Sequence, residues 1–177
     1  MAEQRRVSAL AGHYKTGRFE VDGGCGVTLT EVPDLCLFQM AAWPDTLKMV
    51  EKLAAEQVAS HEQAALLRVE PLKWWLVNCP AAELTAEQGA TLDLSHSRTQ
   101  IRVSGERAVD LLNRHLPLDL REPVFPAGSV AATAFHHVGV TLWRSEAGYE
   151  LFLPRGFALS LWELLYESAV QFGVEVV

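Results

Sequence analysis

Apolar residues in this chain change period from two to about 3.6 and back, and they do so in the same order twice. Leu35–Ala42 (LCLFQMAA) is a short apolar strand, and Pro44 and Asp45 end it. Leu47, Val50, Leu53, Ala54 and Val58 then fall on one helical face. Leu66–Val69 is the next strand, Pro71–Lys73 turns the chain, and Trp74–Asn78 (WWLVN) returns. Thr85, with Gln88 three residues later, is a capping-box signal for a short helix. Ala90–Val103 again reads as strand.

The second series starts from that strand. Ser104 is placed to cap a helix through Glu106–His115, with Ala108, Leu111, Leu112 and His115 on one face. Pro117, Pro123 and Pro126 mark a loop. Val130–Phe135 and Val138–Trp143 are strand-like, Ser145–Gly148 is a turn, and Tyr149–Leu153 is a strand. Phe157, Leu161, Leu164, Leu165, Ser168 and Phe172 recur at helical spacing, Gly173 is placed to stop the helix, and Val174–Val177 supplies a last strand. The expected fold is α+β: two split β-α-β (ferredoxin-like) halves, 27–90 and 91–177, packed as one domain over 27–177. Residues 1–26 lack periodic pattern and read as a flexible N-terminal arm.

A core is affordable at this size, since a domain of about 150 residues buries roughly 70% of its unfolded surface. The 49% hydrophobic and 21% charged content is globular. A net charge of −7 argues against nonspecific nucleic-acid binding, and Arg5-Arg6 is too short for a basic patch. Cys25, Cys36 and Cys79 are odd in number and fit no zinc spacing, so a reduced, cytoplasmic setting is expected. No apolar run suits a signal peptide or a membrane span, so no membrane partner is expected.

Several residues invite a chemical reading. Asp93, Ser95 and His96 hold the three triad residue types. On a strand, however, Asp93 and Ser95 share a face while His96 takes the other, so a polar strand end bonding backbone groups is expected. His136 and His137 would likewise point apart, and a metal site there would need distant ligands. His61 and His115 stand alone, the latter near a helix carbonyl end. Asp22–Gly26 (DGGCG) lacks the lysine and following helix of a phosphate loop. Trp43, Trp74, Trp75, Trp143 and Trp162 are scattered among leucines and valines, which favours core packing over a base-stacking platform. One of the neighbours Trp74 and Trp75 should face outward and offer a partner contact. The residues favour a binding or structural module, with no catalytic, cofactor-binding or metal-ligating residue assigned.

The ordered phrases Gly26-Val27-Thr28-Leu29, Glu31-Val32, Leu67–Val77 (LRVEPLKWWLV), Asp93-Leu94-Ser95-His96, Val103-Ser104-Gly105, Arg107-Ala108, Pro117-Leu118-Asp119-Leu120, Phe125–Gly128 (FPAG), Tyr149-Glu150-Leu151, Pro154-Arg155 and Leu161-Trp162-Glu163 carry a resemblance. They resemble the gamma subunit of heterotetrameric sarcosine oxidase, in the aminomethyltransferase folate-binding fold superfamily. The resemblance implies a noncatalytic accessory subunit of a complex that oxidatively demethylates sarcosine to glycine. Hydrogen peroxide and methylene-tetrahydrofolate would form on other subunits. It implies no cofactor on this chain; FAD, FMN, NAD and tetrahydrofolate would belong to alpha, beta and delta partners, with zinc on the smallest and the main contact on the largest. In folate-handling members the resemblance places an Asn, a Gly-Gly pair and an acidic residue where this chain has Ala134–Thr141 (AFHHVGVT), which holds none of them. Alternatives are an equivalent subunit of an N-methylglutamate dehydrogenase complex, a freestanding folate-binding protein of the same fold, and a pure interaction module.

Overall fold

A computed structural model describes residues 7–177; Arg5-Arg6 and the first six residues of the expected arm lie outside the described residues. The chain forms two compact units, one of residues 34–97 and one of residues 7–33 with 98–177. The expected boundary at 90/91 instead falls inside a strand of the first of these.

The 34–97 unit runs β3 (Leu37–Ala42), α1 (Leu47–Ala59), β4 (Ala65–Glu70), β5 (Lys73–Val77) and β6 (Gly89–Asp93). Its sheet has the order β4-β5-β3-β6, every pair antiparallel. Counted within the unit, that is second-third-first-fourth, the arrangement a split β-α-β predicts. Helix α1 lays Val50 and Ala54, with half-buried Leu47, Leu53 and Val58, against Met40, Trp74 and Leu76, as its spacing predicts. The second helix of this unit is missing. Gln88 does bond back to Thr85, its Oε1 accepting from Thr85 N at 2.9 Å. Only one turn forms, closed by Gln88 N and Gly89 N on the Thr85 carbonyl, and Gly89 then enters β6.

The other unit holds β1 (Gly17–Phe19), β2 (Val27–Val32), β7 (Arg98–Ser104), α2 (Ala108–Leu112), β8 (Val130–Phe135), β9 (Val138–Ser145), β10 (Gly148–Pro154), α3 (Ala158–Ala169) and β11 (Val174–Val176). The sheet order is β1-β11-β2-β7-β10-β9-β8. The series β7-α2-β9-β10-α3-β11 repeats the arrangement of the smaller sheet, with β2 inserted between β7 and β11 and with β1 and β8 added at the edges. Beta2 runs antiparallel to β7 and parallel to β11. Leu29, Ile101, Val103, Leu142, Leu151 and Val174 pack with Leu111 and Leu112 of α2 and Leu161, Trp162 and Leu165 of α3 in one core.

Four expectations need correction. The strand expected over 90–103 is two strands, β6 and β7, in different sheets. Asp93 Oδ1 accepts the Ser95 N–H at 2.8 Å, a local bond that replaces the ladder and turns the chain at 94–97. The arm is not free over residues 7–26: Leu10 is buried, and β1 pairs with β11. Ser104 ends β7 instead of capping α2, whose cap position is Arg107. The inward face of α3 is Ala158, Leu161, Trp162, Leu165 and Ala169, while Phe157 and Leu164 are exposed. The bulk of Trp162 outweighs Leu164 in choosing the face.

Gly105 and Gly173 explain the Gly-rich stretch around Gly26. Gly105 has φ +103° and Gly173 has φ +68°. A Cβ on Gly105 would come within 2.5 Å of the Gly26 carbonyl, and one on Gly173 within 2.2 Å of the Gly24 carbonyl. Gly26 N donates to Phe172 O at 2.9 Å, and Arg107 N to Gly26 O at 2.9 Å. DGGCG is thus a crossing of three backbones.

Candidate functional site

Glu150 carries the most deeply buried charge among the described residues, at 0% exposure. The alternation of β10 turns Tyr149, Leu151 and Leu153 into the core and Glu150 and Phe152 to the other face. Glu150 sits opposite Arg102 on β7 and next to the end of β9. Arg102 Nε donates to Glu150 Oε1 at 2.6 Å, and Gln100 Nε2 donates to Oε2 at 2.8 Å. Ser145 Oγ lies 2.9 Å from Oε1 and 3.2 Å from the Gly148 carbonyl. Both carboxylate oxygens are therefore occupied, as burial of a charge demands. The arrangement ties β7, β9 and β10 together and leaves no oxygen facing solvent.

A second carboxylate, Glu31 on β2, holds the N-terminal segment. It accepts from Ser8 Oγ, and from Tyr14 OH at 3.0 Å. Burial first, then this bond and the Glu31 charge, push the Tyr14 phenol above its ordinary value. The Tyr14 and Trp162 rings lie 4.8 Å apart. With His13, Lys15, Glu163, Tyr166 and Val176 they line a cavity of about 260 Å³.

The third cluster is built from histidines. His136 and His137 form the two-residue turn between β8 and β9, with His136 at φ +53°. His115 lies just beyond α2, and its Nδ1 is 3.2 Å from His136 Nε2. Its Nε2 is 2.9 Å from Ser168 Oγ on α3, and its ring stacks on Phe135 with centroids 4.6 Å apart. Burial, then the neighbouring His136 and Arg114, lower the His115 pKa. His115 therefore does not stand alone. Spacing within one element could not reveal a pair 21 residues apart; the hairpin brings it together.

The triad residue types do not form a hydrogen-bonded chain. Asp93 is spent on Ser95 N, and Ser95 Oγ accepts from Leu37 N at 3.0 Å. His96 is exposed on the following turn. Both Trp74 and Trp75 are buried, against the expectation that one faces out. Trp75 Nε1 donates to Gln39 Oε1 at 3.1 Å. The exposed tryptophan is Trp43, at 49%. Cys36 and Cys79 are thiols raised by burial first, then by Asp93 and Cys36 respectively, and all three cysteines are free. Among the described residues no helix is long and apolar enough to cross a membrane.

No protein-family model matches the chain. It is 34% identical over 76 residues to a sarcosine oxidase subunit gamma of an Arthrobacter species, covering 43% of this chain and 37% of that one. It is 31% identical over 104 residues to a Corynebacterium subunit of the same name, covering 54% and 51%. An aminomethyltransferase of Koribacter versatilis is 30% identical over 112 residues, 60% of this chain and 28% of its own length. The chain thus spans at most about half the length of these curated relatives. In structure, it matches a chain of the heterotetrameric sarcosine oxidase from Corynebacterium sp. U-96 with a TM-score of 0.76 at 22% identity, covering 94% of this chain and 96% of that one. It matches the glycine cleavage system aminomethyltransferase of Bartonella henselae with a TM-score of 0.58 at 18% identity, over 86% of this chain and 48% of that one. In sequence the chain is similar to sarcosine oxidase gamma subunits, its fold is that of these sarcosine oxidase and aminomethyltransferase chains, and both likenesses support the resemblance carried by its motifs.

Proposed function

We propose that this chain is a noncatalytic accessory subunit of a heterotetrameric sarcosine oxidase complex. The observation that carries the reading is the joint likeness: gamma-subunit sequence similarity, and a fold match spanning nearly the whole chain. In such a complex sarcosine is oxidatively demethylated to glycine, and other subunits form hydrogen peroxide and methylene-tetrahydrofolate. FAD, FMN, NAD and tetrahydrofolate are then held by alpha, beta and delta partners in the cytoplasm, and this chain packs chiefly on the large subunit.

Two features support a structural role. The buried carboxylate Glu150 has both oxygens engaged in joining strands. Where the resemblance places an acidic residue in folate-handling members, the β8–β9 hairpin closes here with His136 and His137, which lack the paired acceptor oxygens of a carboxylate. The residues present therefore do not fit folate at that hairpin.

Co-expression with the other subunits tests the reading. The chain should co-purify with a flavoprotein, and leaving it out should lower the yield of assembled complex. A chain that always isolates alone, beside a complex that assembles and turns over without it, would overturn the proposal. Assaying N-methylglutamate against sarcosine decides between the two related complexes. The aminomethyltransferase likeness favours a second reading, a freestanding folate-binding protein. Tight one-to-one binding of tetrahydrofolate in a calorimetric titration would establish it.

A further inference from the structure

We propose that His115 and His136 form a two-histidine site for a borderline divalent cation of the zinc, nickel or copper kind. The site is defined by its geometry and does not depend on the assembly role. Two nitrogens bound to one tetrahedral zinc ion at about 2.0–2.1 Å stand roughly 3.3–3.4 Å from each other. His115 Nδ1 and His136 Nε2 are already 3.2 Å apart. An ion would sit about 1.3 Å off the line joining them, so the rings must tilt toward a common point. His136 can make that tilt because it is exposed on a two-residue turn.

His115 is held as a metal-bound histidine is held. Its other ring nitrogen, Nε2, lies 2.9 Å from Ser168 Oγ. A proton on Nε2 donated to that oxygen leaves Nδ1 bare and aimed at His136. Outer hydrogen bonds of this kind fix the tautomer of metal-binding imidazoles. Stacking on Phe135 fixes the ring plane. Without metal, the pair is satisfied by one shared proton. With metal, both imidazoles bind as neutral ligands, and His136 moves its proton from Nε2 to Nδ1, so no net proton need leave. His137, the other half of the turn, is exposed and has no part in the pair. Two ligands leave the remaining positions of the ion to water.

The test is a zinc titration of the tag-free full chain against a chromophoric chelator, at neutral pH and with the thiols blocked. His136→Asn is the main variant, because asparagine tolerates the positive φ of that turn position. One zinc per chain is expected, weakened more than about tenfold by His136→Asn and about tenfold by Ser168→Ala. His137→Asn should leave it unchanged. Imidazole signals of His115 and His136, and no others, should shift in NMR spectra on adding zinc. No binding at millimolar zinc, or equal binding by wild type and His136→Asn, would overturn the proposal. A site lost equally in His137→Asn and His136→Asn would do so as well.

Discussion

The unit of residues 34–97 and the unit of residues 7–33 with 98–177 share one strand order but differ in how much they add to it. The smaller has four strands, one helix and a single turn where its second helix would be. The larger has seven strands, keeps both helices, and buries a carboxylate in its sheet. The smaller core rests on a few large side chains, Trp74 foremost, around α1. The larger spreads its core over two helices and an inserted strand. Extra strands bring extra ladder, and they also make room for a buried carboxylate bonded across three strands, which the smaller unit does without.

Trp74→Ala should have the largest effect, about 4 kcal/mol of lost stability, because a fully buried indole leaves a cavity that a small unit cannot fill. Hydrogen exchange would show where the cost falls. Amides of β3, β4 and β5 should lose protection while β7, β9 and β10 keep theirs. Equal loss in both sheets would mean that the two units open as one.

Glu150→Ala comes next, at about 3 kcal/mol in urea unfolding, since it removes a buried carboxylate and leaves Arg102 and Gln100 without their acceptor. Glu175→Ala is its control. That residue pairs with exposed Arg18, and its loss should cost at most about 1 kcal/mol. If the two variants cost the same, the buried cross-link is not what distinguishes the larger sheet.

Gly173→Ala should cost about 2 kcal/mol, measured as a fall in Tm, from the positive φ alone. The approach of a new Cβ to the Gly24 carbonyl would add to it. A neutral outcome would show that the crossing of residues 24–26 with the end of α3 can shift without loss.

How much of this was legible in the sequence differs between the two units for physical reasons. Beta8, β9 and β10 were readable because turn residues separate short runs of strand-forming residues, and α1 because Val50 and Ala54 keep helical spacing. Beta1 was not readable: its three residues are all exposed, and its pairing partner is β11 at the other end of the chain. The break between β6 and β7 was hidden because alternation continues through Leu94, and the turn is marked by local bonds, Ser95 N to Asp93 and Ser97 N to the Leu94 carbonyl. Among the candidate groups, Asp93 and Ser95 do bond backbone groups as expected, although Ser95 and His96 lie on the turn after β6 and not on the strand from which that was argued. The partners of Glu150 and the meeting of His115 with His136 were not legible, since both depend on which strands lie side by side.

The smallest expected effect is a pH dependence that belongs to the larger unit. His115 has a folded pKa below its ordinary value of 6.5. It faces His136 across the β8–β9 turn, Arg114 from its own segment and Ser168 from α3, and none of these is an anion that would favour the charged ring. As pH falls through about 6.5, the unfolded chain takes up a proton before the folded one does. The contribution of neutral His115 to stability is therefore complete above that pH. It is lost progressively between there and the lower folded pKa, and does not change further once both states are protonated. Urea midpoints measured downward from pH 7 should fall over this window, with exchange protection decreasing in β8, β9 and α3 before β3–β5. His115→Gln keeps a polar group near Ser168 and removes the titration, so the difference between wild type and variant should shrink as pH falls. A difference that stays constant across the window would mean that burial of His115 does not set its protonation.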